Sequence, residues 1–507
     1  MNNLRTQTLG FHRNNKRLWI NDGVICESGF KPKQCIDLVY GVGDDDVPSL
    51  KIIPSKNGDR AISDTHKGGV IDISNKDFTN QFLDYDKVQV ISGENEITIV
   101  GHHHESAIKE RELSVKRRVS TGQPLRKGGL FAGMGLLCSA VHKGLSSAGI
   151  AVKQRFSNEY DEAAAEANIS GNEIWEDAFE DAKFVVDDIY TMDLSNVPKL
   201  DLLVMGSPCP AFSQVNTQHQ VAGKKDIFHP DSGTIFQPIL SVIKESNPAV
   251  VILENSKFFR DSIFDYIMSD VMERFGYKQT EVLINGRDYG DFEKRERLAR
   301  VWYSRGLPAL QLSNLPFQMT NERTLGSMLE PISNDDKRWG RRKYLEAKNA
   351  EKHNGHKYCV MPFSATELPT FGANYHKVQP DSTMISHPLD SSVTRIATPS
   401  EHCNIRGVDG SLKKQIVSIA EGRHYYNKRN TTCASAAHRM LGNSCAPKGW
   451  FSLSNRIGNW MRSFSGFKVS VSEKIDAISS LRDFPEKKKE VIENFVKGTN
   501  ETQLSMF

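Results

Sequence analysis

The stretch "GLFAGMGLL", Gly129 to Leu137, reads as a buried strand that runs into a glycine-rich turn. From Leu130 onward, strand patterns such as "KFVVDDI" from Lys183 and "KLDLLVMG" from Lys199 alternate with helical stretches. Strands that alternate with helices predict a parallel sheet covered on both faces. We therefore predict a doubly wound α/β core, in which ligands bind beyond the carboxyl ends of the strands.

The composition sets broad limits on the class of protein. The chain has 507 residues, 38% of them hydrophobic and 25% charged, which is enough for two or three domains. A formal net charge of +3 does not by itself favour nucleic acid, so the positions of the charges must decide that question. No apolar run reaches the length of a membrane span, and the first residues lack a signal-peptide core, so we expect a cytoplasmic protein without a membrane partner. The eight cysteines include no CxxC pair, which favours reduced thiols and predicts no metal site.

Residues 17–100 form a β-rich region with a diverged internal repeat. Each copy is predicted to contain a strand, a short helical turn and two further strands. Three apolar positions of the first copy have counterparts in the second: Phe30 and Phe82, Ile36 and Val88, Leu38 and Val90. This order resembles the swapped-hairpin domain of AbrB-type regulators and SymE-like proteins, which implies a small DNA-binding barrel. A β-domain that serves packing or association is the alternative interpretation.

A basic segment follows, from His102 to Gly129, without a persistent apolar period. We interpret it as a helical or flexible linker. Its three adjacent histidines, His102 to His104, fit a solvated loop better than a metal site, because neighbouring side chains rarely converge on one ion.

Acidic residues stand at the ends of the second and third predicted strands, Glu159 in "SNEYD" and Asp188 in "DDI". A carboxylate at the second strand end suits the two hydroxyls of a ribose, and one at the third suits an adenine amino group. The chain has neither a P-loop lysine nor a complete GxGxxG in this region. An adenosine without phosphates points to S-adenosyl-L-methionine as the cofactor.

Eight short motifs in a fixed order resemble those of the DNA (cytosine-5) methyltransferases of bacterial and phage restriction-modification systems. They are "LFAGMG", "NEYD", "DDI", "GSPCPAFS", "LENS", "EKRERL", "RIATPSEHCNIRG" and "MLGNSCAP". The resemblance implies a Rossmann-like, S-adenosylmethionine-dependent core with an inserted target-recognition domain. It also implies a set of cofactor-binding residues: Phe131, Ala132, Gly133, Gly135, Glu159, Asp188, Ile189, Pro208, Asn443 and Ser444.

The chain departs from the family pattern at several positions. Gly129 stands where the family often has an aspartate, Leu136 where it has a glycine, and Glu293 where it has a glutamine. Pro210 and Ser256 also replace the usual residues. None of these changes removes a group that the chemistry requires.

The chemistry of cytosine explains which side chains are needed. Carbon 5 is a poor nucleophile until a thiolate adds to carbon 6, and Cys209, set between two prolines, is the candidate nucleophile. Glu254 is expected near N3, and Arg295 and Arg297 near O2, where the added charge collects. The alternative interpretations are a helix cap for Glu254 and a solvated charge run for the arginines, but residues two apart on a strand share a face. The base must also leave the duplex stack.

The α/β alternation stops between about Leu307 and Thr394, the interval that serves target recognition in the family. It includes the basic segment from Lys337 to Tyr358, with interleaved aromatic residues. An exposed basic loop is the alternative interpretation. The residues expected to contact DNA are Ser213, Lys337, Arg338, Arg341 and Arg342.

These features divide the chain into six predicted parts. They are a β-rich repeat domain (1–104), a basic linker (105–127), a catalytic and cofactor-binding core (128–306), a target-recognition region (307–394), the remainder of the core (395–463) and a helical C-terminal tail (464–507).

The predicted function is methylation of carbon 5 of cytosine in a specific double-stranded DNA sequence, with a cognate restriction endonuclease as a possible partner. Methylation of cytosine in tRNA by the same chemistry is one alternative, and a non-catalytic DNA-binding regulator with a degenerate methyltransferase fold is the other. The sequence does not indicate the oligomeric state or the target sequence.

Overall fold

The computed structural model describes residues 3–42, 47–58, 60–208, 226–230, 232–350, 359–379, 382–423 and 433–466. Two compact units make up the chain, Met1–Glu112 and Leu113–Phe507. Among the described helices, none combines the length and the apolar character that a membrane span needs.

The first unit is rich in short strands. Its elements are β1 (Asn3–Thr8), β2 (Gly10–His12), β3 (Asn15–Ile20), α1 (Asp22–Glu27), β4 (Cys35–Val42), β5 (Pro48–Pro54), β6 (Arg60–Ala61), β7 (Ser63–Thr65), β8 (Gly68–Ile73), α2 (Lys76–Phe82), β9 (Lys87–Gly93) and β10 (Glu96–Gly101). The predicted order of strand, helix, strand, strand is confirmed in both copies, as β3-α1-β4-β5 and β8-α2-β9-β10. The likeness to AbrB-type domains stays a prediction.

Equivalent strands of the two copies pair with each other. Strand β3 lies antiparallel to β8, and β5 lies antiparallel to β10 with Ile52 opposite Ile97. Of the matched apolar residues, Phe30 and Phe82 are both buried in one shared core. The repeat is therefore a single packed unit in which each copy completes the sheets of the other.

The second unit begins within a helix, α3 (His103–Thr121), so the linker expected over 105–127 is helical as far as Thr121. The elements that follow are β11 (Leu125–Leu130), α4 (Leu136–Ser147), β12 (Val152–Glu159), α5 (Glu162–Gly171), β13 (Lys183–Val186), β14 (Leu202–Gly206), α6 (Phe236–Ser246), β15 (Val250–Asn255), α7 (Ile263–Arg274), β16 (Tyr277–Asn285), β17 (Glu293–Lys294), β18 (Glu296–Ser304), β19 (Gly340–Arg341), α8 (Lys343–Ala350), β20 (Cys359–Met361), β21 (Leu368–Pro369), β22 (Thr383–Ser386), β23 (Val393–Arg395), α9 (Pro399–Arg406), α10 (Gly410–Ala420), α11 (Ala434–Asn443) and α12 (Pro447–Arg462).

The main sheet has the strand order β13-β12-β11-β14-β15-β18-β16 within the described residues. Strands β11 to β15 are parallel, whereas β18 runs antiparallel to both β15 and β16. The strand order reverses between β11 and β14, which is the place where sheets of this kind bind ligands. The predicted doubly wound α/β fold is confirmed.

Alternate residues of the central strands enter separate cores on the two faces of the sheet, as the period of two requires. Leu202 and Val204 of β14 join the core that contains α4 and α12. Leu203 and Met205 join the core that contains α6 and α7. Helix α12 approaches α4 closely at Gly144, where a Cβ atom would lie 2.4 Å from a backbone oxygen. The late helix α12 thus returns to pack on α4, the helix that follows the first strand of the sheet.

The interval expected to recognise the target carries a small sheet of its own, in the order β19-β23-β22-β20. A separate apolar cluster that includes Phe371, Tyr375 and Ile385 lies beneath it. Helix α9 then begins with a capping box, in which the Thr398 hydroxyl accepts from the Glu401 N–H. The predicted C-terminal tail from 464 lies outside the described residues beyond Gly466.

Candidate active site

The glycine-rich turn after β11 has the backbone that its sequence predicts. Gly133 has a φ of +53° and Gly135 one of +81°, in the left-handed region that glycine adopts at little cost. At Gly135 a Cβ atom would lie 2.2 Å from the Asn172 side chain, whereas at Gly133 it would meet nothing within 4 Å. The turn therefore packs against the protein on one side and is open on the other. Phe131 also has a positive φ, and Ala132 is half-buried beside it.

Glu159, at the end of β12, lies against this turn. Its Oε2 accepts a hydrogen bond of 2.8 Å from the Gly133 N–H, and its Oε1 accepts one of 2.9 Å from the Asp161 N–H. Burial raises the pKa of Glu159, and the amide hydrogen bonds oppose that rise. The structure thus brings together the first and second predicted cofactor motifs.

The remaining predicted cofactor residues lie at the ends of other elements. Asp188 is exposed just after β13 and accepts from the Tyr190 N–H at 3.0 Å, while Ile189 is buried. Pro208 follows β14. Asn443 ends helix α11, and Ser444 is its C-cap residue.

Glu254 and Arg297 form the centre of the second group of residues. Glu254 is buried at the end of β15, with Gly206 of β14 and Ala299 of β18 as its strand neighbours. Its Oε1 lies 3.1 Å from Nε of Arg297, whose side chain is 23% exposed. Glu254 therefore lies in a strand that is paired on both sides, and it does not cap a helix. Arg297 is mostly buried, so it is not part of a solvated charge run.

Arg295 is buried, and its Nη2 donates to the Gly442 carbonyl at 3.1 Å. Burial lowers the pKa of Arg295 to about 9, and the nearby cations Arg297 and Arg406 add to the effect. Its buried Nε has no hydrogen-bond partner among the described residues. A buried donor without an acceptor is costly in a folded protein.

One premise about the two arginines is wrong. They were expected to share a face of one continuous strand, but Arg295 lies in a break between β17 and β18, where its N–H bonds to the Glu293 carbonyl at 2.9 Å. The break arises because β17 pairs with β21, whereas β18 pairs with β15. Glu254 nevertheless acts on the pKa of Arg295, so both arginines lie within electrostatic reach of one carboxylate.

The candidate nucleophile Cys209 and the candidate DNA contact Ser213 lie outside the described residues. The described chain ends just before them, at Ser207 and Pro208. Asn255 Nδ2 donates to the Ser207 hydroxyl at 2.7 Å, and so joins the "LENS" segment to the start of the "GSPCPAFS" segment. The sequence analysis assigned no role to Asn255, although its position beside Glu254 was a signal. Tyr160, which follows Glu159, is 72% exposed at the same sheet edge.

The four described basic residues expected to contact DNA surround strand β19. Lys337, Arg338 and Arg341 are exposed, and Arg342 is half-buried. The Arg338 guanidinium is held by Asp336 through two hydrogen bonds of 2.8 Å, and Arg341 lies 3.8 Å from Asp390. The Arg338 guanidinium is therefore much less available to bind a phosphate than the Lys337 ammonium group.

A comparison with known families covers most of the second unit. Residues 125–459 match the family described as C-5 cytosine-specific DNA methylase. This chain belongs to that family. The resemblance of the eight motifs to cytosine-5 methyltransferases is thereby confirmed, and the family match includes both groups of site residues.

Named relatives agree with this assignment. The type II methyltransferase M1.ScrFI of Lactococcus lactis subsp. cremoris is 27% identical over 50% of this chain, and the match spans 64% of that relative. The type II methyltransferase M.NlaX of Neisseria lactamica is 25% identical over 60% of this chain and 91% of its own length. The S. pombe Dnmt2 methyltransferase structure aligns with a TM-score of 0.48 and 17% identity, over 66% of this chain and 97% of that one.

Proposed function

We propose that this chain transfers a methyl group from S-adenosyl-L-methionine to carbon 5 of cytosine in a specific sequence of double-stranded DNA. The observation that carries the proposal is the Glu254–Arg297 ion pair beside the buried, incompletely hydrogen-bonded Arg295. These groups lie next to the strand that leads into Cys209. A carboxyl group and two guanidinium groups match the polar edge of cytosine, which presents N3, O2 and an exocyclic amine.

The residues around the glycine-rich turn fit the cofactor. The turn is open at Gly133, and the buried Glu159 carboxylate beside it offers acceptors for ribose hydroxyls. Asp188, Ile189, Phe131, Asn443 and Ser444 would complete the site. When bound, S-adenosylmethionine supplies an electrophilic methyl group.

The protein side chains would act on the base in a fixed order. The Cys209 thiolate adds to carbon 6, and the electrons of the ring double bond move toward N3 and O2. Arg295 and Arg297 stabilise the charge at O2, and Glu254 holds a proton at N3. After carbon 5 gains the methyl group, a base removes its proton and the thiolate leaves carbon 6.

We also propose that the segment around β19 contacts the DNA backbone, with Lys337 and Arg341 as its principal cations and Arg338, Arg342 and Ser213 beside them. A base must be rotated out of the duplex for thiol attack, and backbone contacts help to hold the opened duplex. A role in the cytoplasm as the modification partner of a restriction endonuclease is part of the same proposal.

A transfer and trapping experiment tests the function. Purified chain is incubated with labelled S-adenosylmethionine and either duplex DNA or tRNA, and then with duplex DNA that contains 5-fluorocytosine. We expect label in DNA alone and a denaturation-resistant adduct on the fluorinated duplex. Cys209→Ala should abolish both, whereas Cys445→Ala, which removes a buried thiol near Glu254 and Arg295, should keep the adduct. Label in tRNA alone, or an adduct with Cys209→Ala, contradicts the proposal.

A further inference from the structure

A buried ion pair joins Glu293 and Arg406 behind the arginine segment. Both residues are 1% exposed, and Nε of Arg406 lies 2.6 Å from Oε2 of Glu293. Nη2 of Arg406 also donates to Oε1 of Glu293 at 3.0 Å. The Glu293 carboxylate supplies the countercharge that a buried Arg406 requires.

The remaining hydrogen bonds of the pair connect separate parts of the chain. Nη1 of Arg406 donates to the Ser444 carbonyl at 2.8 Å, and the Phe371 N–H donates to Oε1 of Glu293 at 2.8 Å. Arg295, two residues after Glu293, donates to the carbonyl of Gly442 at 3.1 Å. The segment that carries Arg295 is therefore joined to the end of α11 once directly, through Arg295, and once through Arg406.

Close backbone packing leaves little freedom at this junction. A Cβ atom on Gly442 would lie 2.4 Å from the backbone of Gly372, the neighbour of Phe371. Three segments thus meet around one guanidinium group: the arginine segment, the end of α11 and the chain near Phe371. Only the first two contain residues assigned to the base and to the cofactor.

We propose that the Glu293–Arg406 ion pair is a positioning device that fixes Arg295 relative to the Asn443–Ser444 segment, and so aligns the cytosine with the methyl donor. The inference rests on the function proposed above. Neither residue touches the base or the cofactor; each acts through Arg295 and Ser444. Displacement of a reacting group by about 1 Å is enough to slow an enzyme about a hundredfold, so a small loss of alignment has a measurable effect.

The test compares Glu293→Gln, Arg406→Met and the double variant with the wild type. Asp265→Asn is the matched control, because Asp265 is also a buried carboxylate paired with a buried arginine, Arg300, at 2.9 Å. Three quantities are measured for each protein: kcat and KM for methyl transfer to DNA, the affinity for S-adenosylhomocysteine by calorimetry, and the Tm. We expect Glu293→Gln to lower kcat by about 10–100-fold and to weaken S-adenosylhomocysteine binding. Asp265→Asn should lower the Tm but change kcat by less than about threefold.

The double variant separates positioning from stability. It removes both charges, so no buried ion is left without a partner and the Tm should recover toward that of the wild type. If the pair positions Arg295, kcat and the affinity for S-adenosylhomocysteine stay low. If kcat instead follows the Tm through the whole series, the inference is overturned. The double variant distinguishes these two outcomes even if Arg406→Met does not fold. A wild type that methylates no cytosine contradicts the proposed function, whereas the binding measurement still tests the pair.

Discussion

Nε of Arg297 lies 3.1 Å from Oε1 of Glu254, across the boundary between the parallel and antiparallel parts of the main sheet. Glu254 is the penultimate residue of the last parallel strand, and Arg297 belongs to the first antiparallel one. The reversal of strand direction thus places a cation beside a carboxylate at the edge where ligands bind. In a sheet that stayed parallel, strand β18 would start at the opposite edge.

Arg297→Ala is expected to lower kcat about a hundredfold, with a smaller change in the KM for DNA. The reason is that the guanidinium acts mainly on charge that develops at O2 after the thiol adds. Steady-state methyl transfer measures both constants. Arg260→Ala is the control, because Arg260 forms a surface ion pair with Glu281 and its loss should change kcat little. An equal fall in kcat for both variants would contradict the assignment of Arg297 to the charge at O2.

Asp291→Asn is expected to raise stability at pH 8 but not at pH 4. Burial raises the pKa of Asp291 to about 7, although the Lys448 N–H donates to its Oδ2 at 3.1 Å. Because the folded pKa is above the unfolded one, the group contributes stability that is fully present below about pH 4 and is lost as the pH rises through 7. Melting curves from pH 4 to 8 give the Tm of both proteins, and the difference between the two Tm values should grow as the pH rises from 4 to 8. Parallel curves would contradict the assignment.

Lys127→Met is expected to raise the free energy of unfolding at pH 7 by about 1–3 kcal/mol. The Lys127 side chain is fully buried, its Nζ donates to the Cys138 carbonyl at 2.8 Å, and burial lowers its pKa to about 8. The unfolded chain therefore binds more protons between about pH 8 and 10, and the wild type gains stability as the pH rises through that range. The free energy of unfolding, measured with urea at pH 7 and pH 10, should differ less between the variant and the wild type at pH 10. Lys143→Met is the surface control.

Lys337→Ala and Arg341→Ala are expected to weaken binding to duplex DNA and to reduce the salt dependence of that binding. Each phosphate contact that is lost lowers the slope of log K against log salt by about 1. Arg338→Ala should change the slope less, since Asp336 already holds that guanidinium. Titrations between low and physiological salt measure the slopes. A slope that falls most for Arg338→Ala would show that the Asp336 pair opens on DNA.

The sequence predicted the elements that have a strong local pattern. Alternating strands and helices identified the doubly wound sheet, and the repeated strand, helix, strand, strand order identified the architecture of the first unit. Glu254, Arg295 and Arg297 were selected as candidates because their motifs follow or form strands. The structure brings these three within mutual electrostatic reach, as expected.

The sequence did not predict features that depend on distant pairing. The break at Arg295 arises from the pairing of β17 with β21, a strand about 75 residues away in the sequence. The sequence analysis assigned no role to Arg406, and only tertiary contacts show that it binds Glu293. Lys127 carried no sign of burial either, because its neighbours in "LRKGG" are partly polar.

Like strands of the two copies in the first unit pair antiparallel, β3 with β8 and β5 with β10. A lone half would leave both of these strand edges unpaired and half of the shared core exposed. One chain thus supplies from two unlike halves what a homodimer would supply from two identical ones. Because the halves differ in sequence, the unit presents two different faces where a homodimer presents the same face twice.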